Sequence, residues 1–296
     1  MVIKYYGLRV PTRIRSETAL ITDPDVYADI VDTPDPIPLS IKFSFFNNEG
    51  LTLYVKVELV SAPEDYSMEP LEAGEVAHGK KIDFDAIVNR AKPENTDFME
   101  IEESITLRVS AYTDSEYTAL YDYADVTLTV HLINSEHSGW EVIKEVNFDD
   151  GTLDVVECYE ENVDDLSHCN NYCQTSNSVY VSPPYSALHY AAPYYGYAVS
   201  GYFGFKLTVD TSGKSKAYLV FYMYKGSDRA YEVKIRAGDI EYYIQTVSES
   251  EWYKVVIPLP ISSALEVVIT EYYSFGYHDG LHPFKFYVDN IKIIGA

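Results

Sequence analysis

A chain of 296 residues, 47% of them apolar, is too long for one ordinary β-sandwich and suits two domains. Its formal net charge is −24, and the sequence contains no cluster of basic residues that could neutralise phosphates. This argues against nucleic acid as a partner. No apolar run approaches the length that spans a bilayer, so membrane insertion is not expected.

The first half of the sequence alternates apolar and polar residues, as β-strands do. Residues 39–45 and 51–59 alternate on either side of a turn sequence at 47–50, which predicts a β-hairpin. The alternation returns at residues 105–111 and 126–132. One apolar face per strand predicts antiparallel sheets packed face to face.

Helical patterns are scarce. Residues 84–92 form the only stretch with weak helical spacing, and Pro93 ends it. We therefore predict an all-β protein made of two β-sandwich domains. The first, residues 1–136, is expected to be immunoglobulin-like. A polar, turn-prone segment at 134–139 marks the boundary to the second domain, residues 137–296.

The second half continues the strand pattern from residue 142 to residue 294, with turn sequences such as 210–213 and 226–228. Eight or more short strands at this spacing predict a sandwich of the jelly-roll type. Tyrosine is abundant in the chain, with 29 Tyr against 12 Phe and 2 Trp. Its ring has an apolar face and a polar tip, which suits contact surfaces that must stay soluble.

Three cysteines lie close together in the second half. Cys158, Cys169 and Cys173 fall within 16 residues, with His168 beside them. An odd number cannot pair completely, so one disulfide with a spare thiol is the first interpretation. A zinc site from the three cysteines and His168 is the second, although the spacing fits no common zinc motif. Three reduced, inert thiols are the third.

The second half resembles the jelly rolls of carbohydrate-binding modules, which share their architecture with galactose-binding-like domains. Four segments carry the resemblance in the right order and spacing: VNFDDGTL at 146–153, SPPYSAL at 182–188, EWYKVVIPL at 251–259 and FYVDNIKI at 286–293. The resemblance covers about 160 residues and implies the fold rather than any particular sugar.

The resemblance also implies a structural calcium ion. The acid after the first strand and the Asp of the last strand correspond to Asp149 and Asp289, with Asp150 as a third candidate. Calcium prefers carboxylate and carbonyl oxygens, and a turn beside a strand supplies both. The alternative is that Asp149 and Asp150 belong to an ordinary polar turn and that Asp289 is a strand residue with local hydrogen bonds.

Exposed tyrosines are the candidate ligand residues. If Leu219 and its alternating neighbours face the core, Tyr222 and Tyr224 lie on the outer face of the same strand, where their rings could stack on a sugar. Tyr272 and Tyr277 belong to a second aromatic group near a glycine-containing loop. The alternative is that these rings pack under loops or against a neighbouring subunit.

The sequence contains no motif of a hydrolase elbow, metalloprotease, P-loop or dinucleotide-binding loop, and the protein is predicted not to be an enzyme. The first functional interpretation is a non-catalytic surface protein that binds a glycan, a surface glycoprotein or a host cell through the jelly roll. The alternative is a structural virion or surface-assembly subunit, such as a spike, turret, fibre or decoration protein, whose jelly roll contacts copies of itself or other structural subunits.

Both interpretations place the protein outside the cell, on a cell surface or on the exterior of a virion. The first 16 residues carry basic side chains without an apolar block, so they do not match a secretory signal. Export by another route, such as viral lysis, is one expectation, and removal of a signal is the other.

Overall fold

All regular elements in the described part of the chain are β-strands, so the all-β prediction is confirmed. The chain divides into two compact units, Val2–Asn134 and Ser135–Ala296. No membrane-spanning helix is found among the residues that the structure describes. The computed structural model describes residues 3–11, 25–47, 49–153, 156–164, 169–181, 185–194, 199–226, 230–245, 252–275 and 283–296.

The first unit is a β-sandwich of two sheets. Sheet I has the order β1-β3-β7-β5, and sheet II has the order β2-β9-β8-β4-β6. Phe43 and Val88 from sheet I share one buried core with Val57, Leu107 and Val130 from sheet II. An immunoglobulin-like topology stays a prediction. The strands are β1 (Ile3–Pro11), β2 (Asp25–Asp29), β3 (Ile37–Phe46), β4 (Leu53–Ser61), β5 (Tyr66–Ser67), β6 (Leu71–Val76), β7 (Lys81–Arg90), β8 (Glu100–Tyr112) and β9 (Leu120–Ile133).

The predicted hairpin of residues 39–59 is wrong. β3 pairs with β7 in sheet I, whereas β4 pairs with β6 and β8 in sheet II. Both strands carry a fully apolar row, and two such rows cover each other when the chain crosses to the opposite sheet. Asn47 fixes the crossing, because its buried Nδ2 donates to the carbonyl oxygens of Leu51 and Val76 at 2.9 and 2.6 Å.

Two further expectations about this unit are corrected. Residues 84–90, with their weak helical spacing, lie in strand β7, where Ala86 and Val88 are buried in alternation and the backbone pairs with β3. The sheets are also not wholly antiparallel, since β1 pairs with β3 and β2 pairs with β9 in parallel. The alternation of apolar and polar residues indicates which side chains are buried. It does not indicate whether the neighbouring strand runs parallel or antiparallel.

The second unit is also a two-sheet sandwich. Sheet III has the order β12-β13-β20-β15-β18, with β10 also paired to β20, and sheet IV has the order β11-β14-β19-β16-β17. From β17 to β20 each successive strand lies in the other sheet, as in a jelly roll. The strands are β10 (Glu141–Val146), β11 (Glu157–Glu161), β12 (Cys169–Ser176), β13 (Ser186–Pro193), β14 (Val199–Val209), β15 (Ala217–Lys225), β16 (Ala230–Ala237), β17 (Ile240–Gln245), β18 (Trp252–Leu259), β19 (Leu265–Phe275) and β20 (Phe284–Gly295).

Phenylalanine rings join the two sheets of the second unit. Phe203 of β14 packs against Phe284 of β20 with ring centroids 5.5 Å apart, and Phe205 packs against Phe286 at 6.4 Å. All four rings are fully buried. β20 organises sheet III, because β15 covers one of its edges while β13 and β10 share the other.

A buried ion pair links the two sheets of the first unit. Arg90 of sheet I donates to both carboxylate oxygens of Glu103 of sheet II, at 3.1 and 2.9 Å. Tyr66 donates to the same carboxylate at 2.6 Å. Burial raises the pKa of the Glu103 carboxyl, but the hydrogen bonds from Arg90 and Tyr66 outweigh burial and hold it below its usual value.

We predict that Glu103→Gln lowers the free energy of unfolding of the first unit by about 3 kcal/mol, because it removes the inner partner of the buried Arg90 charge and leaves only the exposed carboxylate of Asp65, 3.4 Å away. The depressed folded pKa means that the contribution is complete above the unfolded pKa of Glu and is lost as the pH falls through the folded value. Urea unfolding of wild type and variant across this acidic range measures both effects.

Asp125→Asn is the matched control. Asp125 pairs with Arg108 through two bonds of 2.6 and 2.8 Å, the same bidentate geometry, but on the exposed surface. Solvent screens such a pair, so its loss should be much smaller. Equal losses in the two variants would contradict the assignment of stability to the buried pair.

Candidate functional site

Four tyrosines lie on the outer face of sheet IV. Tyr159, Tyr202, Tyr272 and Tyr243 come from β11, β14, β19 and β17, and we call this surface the tyrosine face. The strand neighbours of three of them, Phe203, Tyr242 and Tyr273, are buried in the core, so the pleat directs the four rings outward. Tyr202 lies opposite Tyr272, with ring centroids 5.1 Å apart, and all four tyrosines are half-buried.

Charged side chains hold the rings of the tyrosine face in place. Lys234 Nζ lies 4.2 Å from the ring centroid of Tyr202 and 2.8 Å from Glu161 Oε2. The Tyr202 hydroxyl donates to Glu232 at 2.8 Å. Burial and this hydrogen bond raise the pKa of Tyr202. Lys234 is only 3% exposed, so its charge lies beneath the aromatic surface rather than above it.

The neighbouring part of the face repeats this arrangement. Arg236 donates to the Tyr159 hydroxyl at 3.0 Å and to Glu266 at 2.9 Å. Tyr243 donates to Glu241, and this bond together with burial raises the pKa of Tyr243 to about 12. Hydroxyls, carboxylates and cations are therefore fixed beside the rings before any ligand arrives.

Gly204 keeps the centre of the tyrosine face free of a side chain. It lies between Tyr159 on one neighbouring strand and Thr270 on the other. A Cβ at this position would stand 2.0 Å from the carbonyl oxygen of Ile269, which is backbone and cannot give way. Only glycine allows the two strands to approach so closely.

The tyrosines predicted to bind ligand do not share one surface. Tyr272 lies on the tyrosine face, Tyr222 and Tyr224 lie on β15 of sheet III, and Tyr277 lies outside the described residues. Tyr222 is only 8% exposed, so the open position expected of it is not found. Its cross-strand partner Asp289 accepts a hydrogen bond from the N–H of Val181, which brings another segment over this part of sheet III.

Tyr224 is half-buried among aromatic neighbours. Its ring lies 5.4 Å from that of Trp252 and 5.5 Å from that of Tyr287. The sequence did not identify Tyr159, Tyr202 or Tyr243 as candidate ligand residues. A tyrosine that alternates with buried residues, as Tyr202 does with Phe203, is the sequence pattern that could have identified them. The same pattern occurs on β15, however, where both faces of the strand are buried, so it does not distinguish an outer face from a core face.

The three calcium candidates each have a local hydrogen-bond partner. Both oxygens of the buried Asp289 accept backbone N–H bonds, from Val181 and Asn290 at 2.8 Å. Asp150 is exposed and accepts from the N–H and hydroxyl of Thr152, which lowers the pKa of Asp150. Asp149 accepts from the Asn147 amide at 2.8 Å. These three carboxylates do not form one of the close ligand groups found among the described residues, and calcium stays a prediction.

One disulfide ties the edge of sheet IV to the edge of sheet III. Cys158 of β11 is bonded to Cys173 of β12, with their Cα atoms 5.8 Å apart. Cys169 is a buried thiol, and burial raises its pKa to about 11. His168 lies outside the described residues. Because β11 carries Tyr159 and Glu161, the bridge holds one border of the tyrosine face.

No protein-family model matches the sequence, and no curated protein matches it. Solved structures similar to the chain include the module TmCBM61 in complex with beta-1,4-galactotriose, which is 9% identical over 51% of this chain and 94% of its own, with a TM-score of 0.36. The CBM22-1 xylan-binding domain from Paenibacillus barcinonensis is 12% identical over 52% of this chain and 94% of its own, with a TM-score of 0.33.

A further structure comes from the carbohydrate-binding modules of the beta-sandwich super family. It is 12% identical over 88% of this chain and 99% of its own, with a TM-score of 0.37. The chain is similar to carbohydrate-binding modules. The second half resembles the same family in sequence. TM-scores this low carry no argument about a ligand. Any inference about the ligand therefore rests on the residues of the tyrosine face.

We predict that replacing both Cys158 and Cys173 by Ala lowers the free energy of unfolding of the second unit by about 3 kcal/mol, because the bridge closes a loop of about 15 residues. Denaturant unfolding measures the loss. Cys169→Ala is the control, since it keeps the bridge and removes only the buried thiol. A double variant as stable as that control would show that β11 is held by sheet pairing alone.

Proposed function

We propose that this chain is a non-catalytic surface protein that binds a neutral glycan on its tyrosine face. The observation that carries the proposal is the juxtaposition of Tyr202 and Tyr272, 5.1 Å apart, with the carboxylate of Glu232, which is bonded to Tyr202. Aromatic rings and fixed polar groups side by side match the two kinds of surface that a sugar ring presents.

The chemistry of a sugar explains the match. One face of a pyranose ring consists of C–H groups, which pack on the apolar face of a tyrosine. The hydroxyls of the sugar lie around the edge of the ring. Carboxylates can accept hydrogen bonds from them, and tyrosine hydroxyls can both donate and accept. Groups that are already held by neighbours lose little conformational entropy on binding, which favours affinity. Glu161 and Glu266 are held in this way by Lys234 and Arg236.

Charge on the face favours a neutral ligand. The cations Lys206, Lys234 and Arg236 are paired with Glu157, Glu161 and Glu266 at 3.0, 2.8 and 2.9 Å. Further carboxylates come from Glu232 and Glu241. An anionic polysaccharide would meet no unpaired cation among these side chains, and it would approach a chain of net charge −24.

The disulfide supports a location outside the cytosol. Cys158 and Cys173 form a bridge that is typical of oxidising compartments and of cell or virion surfaces. The absence of a catalytic motif from the sequence supports a binding role. Attachment to a glycan-bearing surface is the function that these features favour together.

Glycan-array screening of the full chain, followed by calorimetry with the best neutral oligosaccharide, tests the proposal. We expect Tyr272→Ala to weaken binding by about tenfold, equivalent to about 1.4 kcal/mol, because one stacking ring is lost. Tyr172→Ala is the matched control. Tyr172 is a 37% exposed tyrosine on sheet III that stacks on Tyr190, and its loss should leave the affinity unchanged.

Two results would overturn the proposal. Loss of binding in Tyr224→Ala but not in Tyr272→Ala would move the site to sheet III. Specific oligomers in solution, without retention of any glycan, would favour the structural-subunit function that the sequence also allows.

A further inference from the structure

A histidine and three carboxylates gather on one face of sheet II, in the first unit. His131 of β9 is paired with Tyr27 of β2 on one side and with Glu102 of β8 on the other. Glu100 and Asp25 are each two residues along from these neighbours, so alternation puts them on the same face. Three strands thus contribute to one cluster.

The donor atoms of this cluster are close enough to share an ion. His131 Nδ1 lies 2.7 Å from Glu100 Oε1 and 3.9 Å from Glu102 Oε1, and the three ligand atoms lie within 4.8 Å of one another. The side chain of Glu100 is 4% exposed and that of His131 12%, whereas that of Glu102 is 63% exposed. The side chains of Glu100 and His131 are therefore largely shielded from solvent, and Glu102 stands at the open side.

Tyr27 and Asp25 lie next to the parts of the His131 imidazole that do not face Glu100 and Glu102. The Tyr27 ring stacks on it at 4.5 Å with an interplanar angle of 13°. Nε2, the ring nitrogen away from the carboxylate pair, is buried without a hydrogen-bond partner among the described residues, and the nearest acid, Asp25, is 3.8 Å away. In protein metal sites the second nitrogen of a ligating histidine commonly donates to a carboxylate, and Asp25 is the acid placed to accept such a bond.

We infer that Glu100, Glu102 and His131 bind a divalent transition metal ion of the zinc class, with Asp25 as a positioning residue behind the imidazole. One imidazole nitrogen with carboxylate oxygens is a donor set that zinc and its neighbours accept, whereas calcium prefers oxygen alone. Three acids around one imidazole also repel one another, and a divalent cation relieves that repulsion.

Calorimetric titration of the full chain with Zn²⁺, and with Co²⁺ monitored by absorption, tests the inference. We expect one saturable site whose cobalt spectrum lacks a thiolate charge-transfer band, because the ligands are nitrogen and oxygen. His131→Gln and Glu102→Gln should each weaken the affinity at least tenfold. His78→Gln is the control, since His78 is an exposed histidine of the same unit that contacts the carbonyl of Glu49.

A measurement on the unaltered protein removes any dependence on the folding of the variants. In nitrogen-15 spectra of the histidine rings, Zn²⁺ should move the Nδ1 signal of His131 and leave that of His78 in place. Absence of saturable binding, or equal affinity in wild type and His131→Gln, would overturn the inference. Glycan binding by the second unit is measured separately, so either proposal can fail alone.

Discussion

The packing of Phe203 and Phe205 against Phe284 and Phe286 is the constraint on which the second unit depends. A β-strand sends successive side chains to opposite faces. Once these rings are committed to the core, Tyr202 must point outward, and its pairing with β19 brings Tyr272 beside it. The outer face is therefore built by the same alternation that fills the core.

In the first unit, too, side chains alternate between the core and the outer face of each sheet, but the outer face carries different residues. Its apolar rows meet in one core, and Arg90 and Glu103 close the border between the sheets with a charge pair. Removing one partner of such a pair is costly because the other charge stays buried, which is why Glu103→Gln is expected to differ from Asp125→Asn. The residues left on the outer face of sheet II include His131 and the acids around it.

Burial could be predicted from the sequence because alternation is a local property. The apolar rows at 105–111 and 126–132 are buried as expected. Strand partners could not be predicted, because pairing depends on residues far apart in the chain: β3 and β4, adjacent in sequence, belong to different sheets. The same limit affected Tyr222. The row of residues on β15 that includes Tyr222 was expected to form an exposed face, but both faces of this strand are buried. No local sequence feature distinguishes β15 from β14, which has one outer face.

The charge balance of each outer face decides the class of ligand. On the tyrosine face Lys206, Lys234 and Arg236 each have a carboxylate partner, so a strong anion finds no unpaired cation among these side chains. Around His131 three carboxylates surround one imidazole, and the excess is negative. The first arrangement favours a neutral, hydroxyl-rich ligand with apolar patches, and the second favours a small cation. The two faces are similar in construction but differ in the ligand that they can stabilise.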